Sequence, residues 1–345
     1  MTTFSRDNFE RMLQRRHPYR LPFDISFAEP VNDQLLAHLG IADPVVAFDL
    51  DFRSVAPRYR DDSAAWARAY EGLGIEVDAG TPVGSCGHAA APLRRIETVS
   101  QLQELPWPDV GDESAFTHIG RHVARIRAEE RVAVGLMEST LFEPACSLRG
   151  MAELLYDLEE GSAVGKWLLD FFTERSVQVV RRFCRGGVDV IRLGDGVGTP
   201  RGMLMSPEFW RAHIRPRLAS VVQAIRESQT RKIALSYYSD GDIRAILPDL
   251  IEMGFDIVSP IAPECMPIDE VIGEYRAKLA FWGMIGTQSV MPLGTPDEIE
   301  RRVRHLANWV RRGAAVIVAP THPLEPDVPW DNVDALAKAV RAARF

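Results

Sequence analysis

Eight short apolar runs recur along the chain, each ending in polar residues: 21–26, 45–51, 132–138, 188–195, 232–240, 255–260, 279–285 and 315–321. Stretches such as VAVGLM, VDVIRL and AAVIVA are continuously apolar, not alternating. That is the pattern of strands covered on both faces, as in parallel sheets. Helix signals lie between the runs. Ser206-Pro207-Glu208 offers an N-cap, a proline at the first helical position and an acidic first turn. Thr295-Pro296-Asp297-Glu298 repeats that opening ahead of Ile299, Val303, Leu306 and Val310 at helical spacing. A break is expected near Pro216. More helices are expected over 242–253 and 331–343, and within 59–130 and 142–186, with a hairpin lid over 74–87. Eight strands with helical crossovers predict a single (β/α)8 barrel domain over residues 1–345, with extra N-terminal and mid-chain helices. A doubly wound sheet would need a Gly-rich turn after its first strand, and none is there.

Composition narrows the function classes. The 345 residues are 46% hydrophobic and 26% charged, an ordinary globular balance. Lys and Arg number 40 against 48 Asp and Glu, a net charge of −8, which gives no general attraction to nucleic acid or anionic membrane. No run of 18 apolar residues suits a membrane span, and the first 20 residues lack the apolar core of a secretory signal. Cys86, Cys146, Cys184 and Cys265 are far apart and read as reduced thiols. The expectation is a soluble cytoplasmic enzyme with a small-molecule substrate.

Barrel active sites gather at the carboxyl ends of the strands. Here those ends carry Asp49, Asp51 and Arg53; Glu138; Arg192 and Asp195; Tyr237, Tyr238 and Asp240; Cys265; and His322. His322 suits general acid–base work or metal ligation near neutral pH. Asp195 reads equally as a catalytic group or as an Asx turn. Gly194-x-Gly196-x-Gly198 is followed by Thr199-Pro200 and not by a helix, so a dinucleotide site is excluded. Asp240, Cys265 and His322 offer O, S and N atoms that would hold Zn2+ with one open position. Neither G-x-S-x-G nor a phosphate-cradling P-loop occurs.

Several longer stretches together resemble the uroporphyrinogen decarboxylase superfamily, which includes cobalamin-dependent methyltransferases. They are GVDVIRLGDGVGTPRGMLMSPEFWRAHIRPRL, YSDGDIRAILPDLIEMGFDIVSPIAPECM, LAFWGMIGTQSVMPLGTPDEIERRV and VIVAPTHPLEPDVPWDNVDAL, with FEPACSLRGMAELLYDL and YRLPFDISF upstream. The resemblance implies one TIM barrel, a homodimer, and two competing chemistries. In the methyltransferase branch a His-x-Cys and a late Cys hold Zn2+; Tyr238, Asp240 and His322 stand at those positions. In the decarboxylase branch an Asp near the second strand, a Tyr and a C-terminal His act without cofactor, and Asp49 or Asp51, Tyr238 and His322 match them. Only Arg20-Leu21-Pro22 remains of the Arg-rich segment that grips uroporphyrinogen, so that substrate is not expected. Motifs such as SDGDI and FWGMIGTQ place methyl transfer or demethylation first, for which the resemblance implies a corrinoid or corrinoid-protein partner. Decarboxylation of an electron-rich (hetero)aromatic or enamine-like acid comes second, with Arg53, Arg149 and Arg192 as carboxylate clamps and Glu138 and Tyr237 at the substrate. A non-catalytic ligand-binding relative is the third alternative.

Overall fold

The computed structural model describes residues 5–58, 91–105, 107 and 113–345. The expected lid over 74–87 and Cys86 lie outside them. Seven parallel strands form one curled sheet: β1 (Phe52–Val55), β2 (Val132–Met137), β3 (Val190–Gly194), then, after a two-residue-per-strand hairpin of β4 (Gly198–Thr199) and β5 (Gly202–Met203), β6 (Ala234–Tyr238), β7 (Ile257–Ile261), β8 (Ala280–Ile285) and β9 (Ala315–Pro320). Their spatial order follows the chain, β1-β2-β3-β6-β7-β8-β9, in a TIM-like arrangement with helices between strands. At the β9 edge, residues 22–24 run alongside: Val318 N–H donates to Pro22 O at 2.9 Å and Asp24 N–H to Val318 O at 3.1 Å. Asp51 N–H donates to Phe23 O at 3.0 Å, so the same segment also touches the start of β1.

Period-two alternation splits each strand between two cores. Val132, Val134, Val190, Ala234, Ile257, Ala280, Trp282, Ala315 and Ile317 pack on the concave face, and Phe9 and Met12 of helix Ser5–Leu13 join them at its amino end. Ile191, Leu193, Leu235, Val258, Phe281 and Val316 pack outward against the helices. The expected helix openings are present: Ser206 Oγ accepts from Phe209 N–H, and Thr295 and Glu298 form a reciprocal capping box. The chain breaks at Ile214, between helices Pro207–His213 and Arg215–Ser228, because Pro216 cannot continue the first helix.

Two strand expectations are corrected: residues 21–26 form no regular strand, only an isolated bridge of Phe23 with Val318. Residues 45–51 are not a strand: Pro44–Ala47 is a helical turn whose N-cap, Asp43, accepts from Val45 N–H at 2.9 Å. Pro44 at the first helical position and the Asp43 cap outweigh the apolar Val45-Val46-Ala47-Phe48 run, and the strand starts only at Phe52. Among the described residues, no helix is long and apolar enough to cross a membrane. Among the described residues, Cys146, Cys184 and Cys265 are not in disulfides.

Arg149 belongs to this framework. Its guanidinium grips buried Asp157 through Nε at 2.8 Å and Nη2 at 3.3 Å, and donates to the Leu93, Arg94 and Ile96 carbonyls. It ties residues 93–96 to helices Phe142–Arg149 and Met151–Glu159 and is not available as a substrate clamp. Arg149→Met strands a buried carboxylate and three carbonyls, so urea unfolding is expected to show a loss of about 3–5 kcal/mol.

Candidate active site

On the concave face of β3, Val190 is followed two residues on by Arg192, and the apolar lining gives way to a guanidinium. Arg192 lies over the Trp282 ring, 4.0 Å from its centroid, and its Nη1 donates to Glu138 Oε1 at 2.9 Å. Its Nε is enclosed and has no hydrogen-bond partner. A guanidinium held over an indole and partly unsatisfied is preorganised to bind an anionic group. Asp24, on the segment beside β9, shares with Arg192, Glu138, Ser54 and Pro323 a cavity of about 460 Å³. Burial pushes the Asp24 carboxyl up to about 6; Arg192 opposes the rise, while Asp51 and Glu138 add to it.

Beside this cavity stand the groups that follow β6 and β9. Tyr238 is the last residue of β6, Asp240 lies two residues on, and His322 lies two residues past β9. His322 Nε2 is 3.3 Å from Asp240 Oδ1. Burial raises the Asp240 carboxyl; His322 and the Tyr238 hydroxyl pull it down and Glu138 raises it further. Burial, then the Asp240 and Glu138 charges, carry Tyr238 above the ordinary phenol range, with Arg192 opposing. These mutual influences bring Tyr238, Asp240, Glu138 and Arg192 into one electrostatic unit.

The glycines after β3 hold that unit in place. A Cβ on Gly194 would overlap the Tyr238 carbonyl, and one on Gly198 the Asp240 carbonyl. The G-x-G-x-G spacing thus lets one loop's backbone lie directly against the backbone that carries Tyr238 and Asp240. Asp195, between them, is buried and accepts the Leu141 and Glu143 N–H groups at 3.0 and 2.9 Å, capping helix Phe142–Arg149. Its side chain accepts from backbone 52 and 54 residues away and so forms a long-range cap and not the expected Asx turn, and burial pushes its carboxyl up to about 8. Asp195→Ala is expected to cost about 2 kcal/mol in thermal unfolding, from the lost cap and orphaned buried N–H groups.

Other expectations are corrected by the strand positions. Asp49 and Asp51 precede β1 at the amino end of the sheet, and Asp51 bears on the site only through its charge on Asp24. Asp51 is buried against Arg20 at 2.7 Å and Phe23 N–H at 2.8 Å, and Asp49 pairs with Arg131 at 2.5 Å. Arg53 does line the cavity of Asp24 and Arg192, with its guanidinium paired to Asp43 at 2.8 Å and Glu129 at 2.6 Å. Tyr237 points outward, fully buried edge-on against Phe255, because alternation puts only one of the adjacent tyrosines inside. Cys265 packs against the outer core and does not join Asp240 and His322. Among the described residues no group of three or more His, Cys, Asp or Glu is placed to hold a metal ion, so this donor set does not fit Zn2+. His322, Tyr238, Asp240, Glu138 and Arg192 do converge. Sequence reasoning missed Asp24, whose signal was a lone carboxylate inside an apolar run, and Glu143, which accepts from Ser139 Oγ at 3.0 Å and raises Asp195.

Comparison with known proteins bears on the family and the fold. The family model described as Uroporphyrinogen decarboxylase (URO-D) matches residues 67–343. Among solved structures, a methyltransferase from Methanosarcina mazei is similar over 98% of both chains, with a TM-score of 0.64 and 19% identity, a likeness of fold. A B12-independent methionine synthase from Shewanella sp. W3-18-1 is similar over 65% of this chain and 66% of its own, with a TM-score of 0.42 and 13% identity. No curated protein matches.

Proposed function

The chain belongs to the uroporphyrinogen decarboxylase family, and from that premise we propose that it is an enzyme that decarboxylates a small electron-rich heteroaromatic acid. In this proposal residues 21–27 complete a closed (β/α)8 barrel between β9 and β1, with the active site at its carboxyl end. The observation that carries it is the pairing, in one cavity, of a guanidinium with an unsatisfied Nε and a half-buried carboxyl whose proton affinity is raised toward neutrality.

Arg192 seats the substrate carboxylate. His322, 3.3 Å from Asp240, delivers a proton to the ring carbon that bears it. The ring becomes a cation, which Asp24 and Glu138 stabilise from fixed positions. The bond to the carboxyl carbon then breaks, its electron pair returns to the ring, and neutral CO2 leaves Arg192. This order reverses the one expected from the motifs, because zinc-activated methyl transfer needs a ligand set that Asp240, Cys265 and His322 do not assemble.

Methyl transfer stays as the second reading on one observation. His322 and Asp240 are 38% and 43% exposed, so a methyl-bearing partner would meet them from solvent. A screen of pyrrole- and indole-carboxylic acids, with bicarbonate measured enzymatically, separates the two. Release of CO2 that Arg192→Met abolishes supports decarboxylation. Transfer of a methyl group from a methoxylated or N-methylated compound, with no CO2, would replace it.

A further inference from the structure

The opposite end of the sheet holds a second cavity of about 460 Å³, between helix Ser5–Leu13 and the amino ends of β2 and β6. Phe9, Leu13, Val132 and Ala234 form an apolar wall, and Arg6, Arg231 and Lys232 line the rest, with Glu10 at its edge. Behind it Asp189 organises the cations. Its Oδ2 accepts the Ala133 N–H at 2.8 Å, while its Oδ1 faces Arg231 at 2.7 Å, Arg6 at 3.2 Å and Arg127 at 3.6 Å. Three guanidiniums therefore share a single carboxylate oxygen. Arg6 Nε and Arg127 Nε are both enclosed without a hydrogen-bond partner. Burial, with Arg231 and Arg6 alongside, holds Arg127 below the ordinary guanidinium range, as expected of a crowded, under-neutralised cluster. Arg127 and Arg231 also donate to the Gly187 carbonyl, and Arg231 to that of Val188, yet Arg6 Nε and Arg127 Nε remain buried donors that call for an acceptor.

We infer that this cavity is a second ligand site, taking a small amphipathic carboxylate whose anionic end meets Arg6 and Arg231 and whose apolar body lies on Phe9, Leu13, Val132 and Ala234. The same strands link it to the candidate active site: β2 leads from Val132 to Glu138, and β6 from Ala234 to Tyr238 and Asp240. Such a ligand would act as an effector, independent of the reaction assigned above.

The test is fluorine NMR titration of the full chain with 4-fluorobenzoate in an Arg192→Met background, where the active-site cavity lacks its guanidinium. A saturable bound resonance is expected there. Arg6→Met and Arg231→Met, each added separately and confirmed folded by circular dichroism, should weaken binding at least tenfold. Acetate and inorganic phosphate should compete at least tenfold less well than 4-fluorobenzoate, because neither covers the apolar wall. Equal affinity with and without Arg6 and Arg231, or a bound resonance lost with Arg192 alone, would overturn the assignment. Phosphate competing as well as 4-fluorobenzoate would overturn its amphipathic character.

Discussion

Replacing His322 with alanine is expected to lower kcat by about 10²- to 10⁴-fold, the range lost with a positioned general acid, while the melting temperature barely moves. His322 and its partner Asp240 are both more than a third exposed, and a solvent-facing pair of this kind contributes about 0–1 kcal/mol. The loss should fall on kcat more than on KM, since the imidazole acts on the ring carbon and Arg192 holds the acid. Asp240→Asn should give a smaller loss of the same kind, and the double variant little beyond His322→Ala alone, because the pair works as one unit. A ligand-binding protein without catalysis would bind as before in every one of these variants.

Asp24→Asn should separate stability from activity. The folded carboxyl titrates at about 6 against an ordinary 3.8, so folding takes up a proton between those values. The stabilising contribution is full below about pH 3.8 and is lost as pH rises through about 6. Two units correspond to at most about 3 kcal/mol, and because Asp24 also faces the open cavity about 1–3 is expected. Asn removes that penalty, so the variant should unfold at a higher temperature than the parent at pH 7 and lose the advantage near pH 4. Its kcat should fall about 10²-fold, since a neutral amide cannot stabilise the ring cation. Paired thermal scans at pH 4 and 7 with rate measurements check both parts; a variant less stable at pH 7 would contradict the half-buried, costly carboxylate.

Most of the sheet was legible because its strands are covered on both faces: the continuous runs at 132–138, 188–195, 232–240, 255–260, 279–285 and 315–321 each contain the greater part of an observed strand. β1 was not, since its sequence Phe-Arg-Ser-Val is short and half polar while the preceding Val-Val-Ala-Phe is apolar but helical. That single shift moved Asp49 and Asp51 to the wrong end. His322, Asp240 and Glu138 were legible as polar residues just past buried runs. Which of Tyr237 and Tyr238 faces inward depends on register, here Gly194 opposite Tyr238, which adjacent tyrosines do not reveal. Arg149 and Arg53 resembled clamps because partners 76 residues away, or three carbonyls 53 to 56 residues away, cannot be read along the chain.

Proton delivery to carbon at the Asp240–His322 pair is tested most directly by turnover in D2O. Pyrrole- and indole-carboxylic acids would be incubated with the enzyme, and the products read by proton and carbon-13 NMR. One deuterium at the carbon that lost the carboxyl group, with one equivalent of CO2 and a signal absent in His322→Ala, is the expected result. A product that keeps its carboxyl group and has gained or lost a methyl group would contradict it.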